Sequence, residues 1–225
     1  MCVAGHRGIL TGLPRAGLPW YTGAALRMQR ILTDAPCIEA VGRAAYRTMS
    51  LQQKLARVNV LMMDVDGVLT DGGLYYGPDG LAMKRFDVRD GLGIVRLQKA
   101  GVRVALISGD DTPITTARAA RLGIESVVQG VDDKRAAVAQ LRDALGVSPD
   151  EVAYVGDDET DLAAFEEVGL KVAVGDAVDS LKAAADVLTK HTGGNGAVRE
   201  VCDAILAARG DDPLSPDSSP SRASG

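Results

Sequence analysis

Four short segments of this chain have almost no polar face: VNVLMM (58–63), VRVALI (102–107), EVAYV (151–155) and LKVAV (170–174). A strand with one wet face alternates apolar and polar residues, whereas a strand covered on both faces does not. These runs therefore predict strands of a parallel sheet buried beneath helices. Segments with helical spacing of apolar residues alternate with them, roughly 91–100, 112–122, 133–145, 159–168, 178–185 and 196–208. Pro113 and Pro149 fall near segment starts, where a missing backbone donor is harmless. Strand–helix alternation predicts an α/β, doubly wound parallel sheet. One segment breaks the alternation. GGLYYGPDGLAMKRFDV (72–88) has two β-prone arms around Gly77-Pro78-Asp79-Gly80, which predicts a β-hairpin inserted after the first strand.

With 225 residues, 46% of them hydrophobic, the chain has enough apolar material for a sizeable core. The folded domain is expected over 50–209. Residues 1–57 carry seven Arg and one Lys against Asp34 and Glu39, a net +6 that leaves −11 for the remainder. We read residues 1–49 as a poorly ordered N-terminal extension. A targeting segment or docking arm, or a start placed upstream of Met49, are the alternatives for it. Residues 210–225 close on three Pro and five Ser and are expected to form a disordered tail. No apolar run reaches the ~18 residues of a membrane span, so no membrane partner is expected. A net charge of −5 argues against non-specific nucleic-acid binding. The three scattered cysteines, Cys2, Cys37 and Cys202, form no disulfide framework and suit a reducing, cytoplasmic setting.

In doubly wound sheets, ligands bind beyond the carboxyl ends of the strands. Asp64, Ser108 and Asp157 each lie just past a predicted strand end, so one crevice could collect them. Asp64-Val65-Asp66-Gly67 opens an acidic loop. A calcium loop counted from Asp64 would need an acid or amide, a glycine and a glutamate where Val68, Leu69 and Tyr75 stand, so that reading fails. Ser108-Gly109 offers a hydroxyl and free backbone donors beside a helix start, an anion cradle. Lys134 begins a helix, where an acid would be usual. Gly156-Asp157-Asp158-Glu159-Thr160-Asp161 packs four carboxylates into five positions, which repel unless a cation or solvent screens them. Singly, each is ordinary: an acidic turn, a loop Ser-Gly, a surface lysine, an acidic helix start.

Taken in order, the four resemble the haloacid-dehalogenase-like superfamily of phosphotransferases: DxD after the first strand, Ser/Thr after the second, Lys, then GDDxxD. The resemblance covers about residues 58–209. DVDGVLTDGGLYYGPDG, FDVRDGLGI, VAYVGDDETDL and GAVREVCDAIL look like the 3-deoxy-D-manno-octulosonate 8-phosphate phosphatase subfamily. The resemblance implies a Rossmann-like sheet and a Mg²⁺-dependent phosphatase acting on a small-molecule sugar phosphate. It implies Asp64 as nucleophile forming an aspartyl-phosphate, and Asp66 as the acid and base that serves both half-reactions. Mg²⁺ would be held by Asp64, the backbone carbonyl of Asp66 and Asp157. Asp158 and Asp161 would orient Lys134 or metal-bound water from outside the ligand sphere. Ser108, Gly109 and Lys134 would bind the phosphoryl group; Arg89 or Arg199 could supply a further cation.

Asp66 to Gly91 and Ser108 to Lys134 leave no room for a cap domain. The hairpins of the resembling subfamily pair around a homotetramer in which neighbours cover each site, and the same is expected of 72–88 here. Two positions depart from the pattern. Asp110 stands where the subfamily usually has Arg after Ser/Thr-Gly, and Asn195 stands where it often has the Arg of Gly-Gly-Arg-Gly. Those departures keep in view a phosphatase of another sugar phosphate, such as an acylneuraminate 9-phosphate. The alternative of a different class is a weakly catalytic tetramerising or regulatory domain, against which the intact Asp64, Asp66, Ser108, Lys134 and Asp157 count.

Overall fold

A computed structural model describes residues 45–210. The extension expected over 1–49 lies outside the described residues up to residue 44, as does the tail from residue 211. Six parallel strands form the main sheet in the order β5-β4-β1-β6-β7-β8: β1 (Val60–Met63), β4 (Arg103–Ile107), β5 (Ser126–Val128), β6 (Val152–Gly156), β7 (Leu170–Ala173) and β8 (Val187–Leu188). β1 lies between β4 and β6, in register Val60↔Arg103 on one side and Val60↔Val152 on the other. From β1 the chain winds outward to β5, then returns beside β1 to add β6, β7 and β8. The crevice where the winding reverses, between β1 and β6, is where such sheets place their ligands.

All four expected strands are present, and their continuous apolar character has the expected cause. Every residue of β1 and of β6 is buried. Leu61, Met62 and Met63 are fully enclosed, each contributing about 1.5–3 kcal/mol by leaving water. The helices are α1 (Leu51–Ala56), α2 (Val88–Lys99), α3 (Pro113–Leu122), α4 (Lys134–Leu145), α5 (Leu162–Phe165), α6 (Asp179–Ala184) and α7 (Ala197–Arg209). Ser50 caps α1 through a reciprocal pair with Gln53, and Thr112 caps α3 with Pro113 at the first position. α1 and α2 both pack on α7. Asp90 of α2 is wholly buried and accepts from the N–H groups of Gly196 (3.3 Å) and Arg199 (2.8 Å), tying α2 to the start of α7.

The helix expected over 159–168 is much reduced. Glu159–Asp161 form a 3₁₀ turn and only Leu162–Phe165 are α-helical. The Asp161 carboxylate accepts from the backbone N–H groups of Asp157 (2.9 Å) and Asp158 (3.2 Å), which tightens this turn.

The hairpin consists of β2 (Thr70–Gly77) and β3 (Gly80–Phe86), a separate antiparallel pair closed by Pro78 and Asp79. It fills the interval between β1 and α2, and α3 with β5 fills the interval between Ser108 and Lys134. Among the described residues neither interval holds a cap domain.

Candidate active site

The loops after β1, β4 and β6 bring the acidic motifs together at the carboxyl edge of the sheet. Lys134 Nζ lies 3.1 Å from Asp64 Oδ2 and 2.7 Å from Asp161 Oδ1. The Tyr154 hydroxyl donates to that same Asp161 oxygen at 2.8 Å. Asp161 thus has both oxygens engaged: Oδ1 by Lys134 and Tyr154, Oδ2 by two backbone amides. It is fully buried and serves as the anchor for Lys134. A lysine at the start of α4 opposes the helix dipole, and the flanking carboxylates offset that cost. Burial pulls the Lys134 ammonium down, but Asp64 and Asp161 outweigh it and hold its pKa above the ordinary value.

Asp157 stands opposite Asp64. One oxygen from each of Asp64, Asp157 and Asp161 lies within 4.8 Å of the others. Burial, then the neighbouring charge of Asp161, raises Asp64 to about 6 against the pull of Lys134. Burial followed by Asp64 and Asp161 raises Asp157 to about 8. Oδ1 of Asp157 and Oδ1 of Asp66 are buried with no hydrogen-bond partner. Crowded, partly bare carboxylates of this kind suit a hard divalent cation, and oxygen-only donors suit Mg²⁺. Because Asp161 is already saturated, Asp64 and Asp157 are the side chains with oxygens to offer. Gly67 makes this approach possible. Its φ is +91°, and a Cβ there would lie 2.0 Å from Asp157 Oδ2.

A second lysine, which the sequence reading missed, sits above this floor. Lys84 of β3 donates to Asp66 Oδ2 at 2.8 Å and to Asp110 Oδ2 at 2.6 Å, with its side chain fully buried. Asp110, the departure beside Ser108-Gly109, is therefore an ion-pair partner. Asp110 N–H in turn donates to Ser108 Oγ at 3.1 Å. Ser108 is buried at the end of β4. Gly109, Asp110 and Lys134 line, with Leu74 and Tyr76 of the hairpin, a cavity of about 320 Å³ that reaches Asp64 and Asp66.

Two expected site residues are engaged elsewhere. The Asp158 carboxylate accepts from Glu159 N–H at 2.6 Å and caps its own turn, while Asp161 alone of the pair contacts Lys134. Arg89 does not line the cavity. Its guanidinium pairs with Asp87 at 2.7 Å, holding that carboxyl down at about 2, and donates to the Asn195 carbonyl at 3.0 Å. Arg85 donates to the Asn195 side chain at 3.2 Å and to the Gly194 carbonyl at 3.0 Å. The loop 193–196 lies against the acidic loop: Gly194 N–H donates to the Val68 carbonyl at 2.9 Å, and a Cβ on Gly193 would fall 1.7 Å from the Gly67 carbonyl oxygen. Tyr154 was also missed, as one more apolar-run residue of a buried strand.

A family model for haloacid dehalogenase-like hydrolases matches residues 109–201. The chain is 46% identical over 160 residues to the 3-deoxy-D-manno-octulosonate 8-phosphate phosphatase of Haemophilus influenzae, covering 71% of this chain and 89% of that protein. It is 45% identical over 157 residues to the enzyme of the same name from Escherichia coli K12, covering 70% and 84%. Among solved structures, the Moraxella catarrhalis phosphatase in complex with a magnesium ion, a phosphate ion and a KDO molecule superposes with a TM-score of 0.69 at 41% identity, over 71% of this chain and 92% of that one. The cobalt-bound H. influenzae enzyme gives 0.71 at 44% identity, over 73% and 96%. With this much shared sequence over nearly the whole of its relatives, the chain belongs to the 3-deoxy-D-manno-octulosonate 8-phosphate phosphatase family of haloacid dehalogenase-like hydrolases.

Proposed function

We propose that this protein is a Mg²⁺-dependent phosphatase that hydrolyses 3-deoxy-D-manno-octulosonate 8-phosphate through an aspartyl-phosphate. The observation that carries the reading is the convergence of Asp64, Asp157 and Lys134 at the sheet edge, with Oδ1 of Asp157 and of Asp66 left without partners. Asp64, the Asp66 carbonyl and Asp157 would hold Mg²⁺, which would supply the charge neutralisation that lets an anionic nucleophile approach an anionic phosphoryl group.

The chain's own groups do the rest. An Asp64 oxygen bonds to phosphorus as the bond to the sugar oxygen breaks. The departing electron pair takes a proton from Asp66. Asp66 then accepts a proton from water as that water's oxygen attacks phosphorus, releasing inorganic phosphate and free Asp64. The Ser108 hydroxyl and Gly109 N–H hold phosphoryl oxygens, and Lys134 offsets their growing charge. Asp161, with Tyr154, fixes where the Lys134 ammonium stands. Asp158 shapes the turn that presents Asp157, and Arg89 steadies the 193–196 loop rather than binding phosphate.

The test is phosphate release from a panel of sugar phosphates, with and without Mg²⁺. The expected result is Mg²⁺-dependent turnover of the 8-phosphate and a loss of about 10²–10⁴-fold in Asp66→Asn. Equal release by wild type and Asp66→Asn would remove the acid–base assignment. Preference for an acylneuraminate 9-phosphate would overturn the substrate.

We also propose a homotetramer built through 72–88, because Leu74, Tyr75, Tyr76 and Met83 leave an apolar surface exposed on a two-stranded pair beside the site. Sedimentation that still gives tetramers after Tyr75, Tyr76 and Met83 are all changed to Ser would refute this. The catalytic unit is residues 50–209 and its setting cytoplasmic. No described helix is long and apolar enough to cross a membrane, and the described Cys202 is a buried free thiol.

A further inference from the structure

We propose that Asp110 is a specificity-determining residue: its carboxylate accepts a hydrogen bond from the sugar hydroxyl on the carbon next to the one that bears the phosphate. The inference rests on the phosphatase reading above, in which the leaving oxygen stands beside Asp66. The lining of the cavity of about 320 Å³ changes character from floor to mouth. Lys134 is the one cation among the described residues that line it, and Asp64 and Asp161 hold that ammonium at the floor. The more exposed part of the lining carries Asp110 and Asp132. Lys84 brings no free charge there, since its side chain is fully buried between Asp66 and Asp110. The sugar end of a substrate therefore meets acceptors. A hydroxyl can donate to them, whereas an anionic group in the same place is repelled.

Of the two acids, Asp110 is the one held in place. Its Oδ2 takes Lys84 at 2.6 Å, and the same ammonium reaches Asp66 Oδ2 at 2.8 Å. Its backbone N–H is fixed on Ser108 Oγ at 3.1 Å. The side chain is nevertheless 44% exposed, and among the described residues no donor occupies its Oδ1. A carboxylate with one oxygen on a lysine keeps the other as a strong acceptor. That acceptor stands a single ammonium away from Asp66, on the loop that holds the phosphoryl oxygens. In an alkyl phosphate the group at such a remove from the leaving oxygen is the hydroxyl on the neighbouring carbon. The 8-phosphate meets the requirement: it has a hydroxyl beside its phosphate, and its carboxylate lies at the opposite end of the chain.

The experiment is a cycle of two substrates and two proteins at saturating Mg²⁺. The substrates are a parent sugar phosphate and its analogue lacking the hydroxyl next to the phosphate-bearing carbon; the proteins are wild type and Asp110→Ala. The parent is the 8-phosphate or, should wild type refuse it, the best-hydrolysed sugar phosphate of the panel that bears such a hydroxyl. Failure of the substrate reading is therefore seen in wild type alone and leaves the cycle intact. Any effect of Asp110→Ala on Lys84, Asp66 or the fold falls on both substrates and cancels in the ratio of their kcat/KM values. Wild type should favour the parent by about ten- to a hundredfold, the range of a hydrogen bond to a charged acceptor. Asp110→Ala should bring the two substrates within about twofold of each other, and Asp110→Asn, which keeps an acceptor oxygen, should retain part of the preference. An undiminished preference in Asp110→Ala would give the hydroxyl to another group and overturn the proposal. A wild type indifferent to the hydroxyl would overturn it equally.

Discussion

Two buried lysines each bridge a pair of carboxylates in this protein, and their surroundings differ. Lys134 lies between Asp64 and Asp161 at the floor of the site, where the side chains are 7%, 9% and 0% exposed. Lys84 lies between Asp66 and Asp110 under the hairpin; its own side chain is enclosed, but its partners are 29% and 44% exposed. The floor is almost closed to solvent, open only toward the cavity, and lies at the carboxyl edge of the sheet. The upper bridge has a wet rim and depends on a two-stranded insertion. The same residue types are therefore expected to differ in what they contribute. In the dry bridge, removing one partner strands charge that water cannot reach, and in the wet one water takes over.

Lys134→Met breaks the floor and should show the largest effect. A buried ion pair stripped of one partner costs about 3–5 kcal/mol, which thermal unfolding will read, and phosphate release should become undetectable. A rise in stability would mean that the floor is not as dry as its geometry indicates.

The pH dependence of the metal-free fold sharpens the same contrast. Asp64 and Asp157 are raised from an ordinary 3.8 to about 6 and about 8. The folded state therefore holds protons that the unfolded chain has released. The stability these protons supply is fully present below about 3.8 and is lost as pH climbs through 6 to 8. Melting in the presence of a chelator should fall across that window. Saturating Mg²⁺, which takes the place of the protons, should flatten the slope. An unchanged slope with Mg²⁺ would remove the cation from this pair.

Lys84→Met should leave the melting temperature almost unmoved, within about 1 kcal/mol, because Asp66 and Asp110 can rehydrate. Tyr154→Phe should be milder still for turnover. It removes one of the contacts on Asp161, worth about 1 kcal/mol of stability, while Lys134 and two backbone amides keep the carboxylate in place. A loss of kcat larger than about tenfold would show that the hydroxyl, rather than Lys134, sets the position of Asp161.

The floor was legible in the sequence and the upper bridge was not, for a physical reason. Asp64, Ser108 and Asp157 follow strands whose two-sided burial leaves an unmistakable apolar run, and the end of a run locates the crevice. β5 (Ser126–Val128) and β8 (Val187–Leu188) are too short to leave such a run. Lys84 sits in a strand of a hairpin that declares its turn but not which way it folds. Its partners lie 18 and 26 positions away, on loops that meet only in three dimensions. Asp110 accordingly looked like a lost arginine, when its meaning depends on Lys84. The helix expected over 159–168 failed because Asp161 turns its carboxylate back on the two preceding amides, and no periodicity reports such a bond.

Where the 193–196 loop meets the loop after β1, main chain touches main chain. Gly193 would thrust a methyl group onto the Gly67 carbonyl, and Gly194 would place one 2.4 Å from Asp71 N. A seam of this kind has no side chains through which evolution can adjust it. A side chain at either glycine would have to push the two loops apart, so the joint fixes where the loop after β1 stands over the sheet edge.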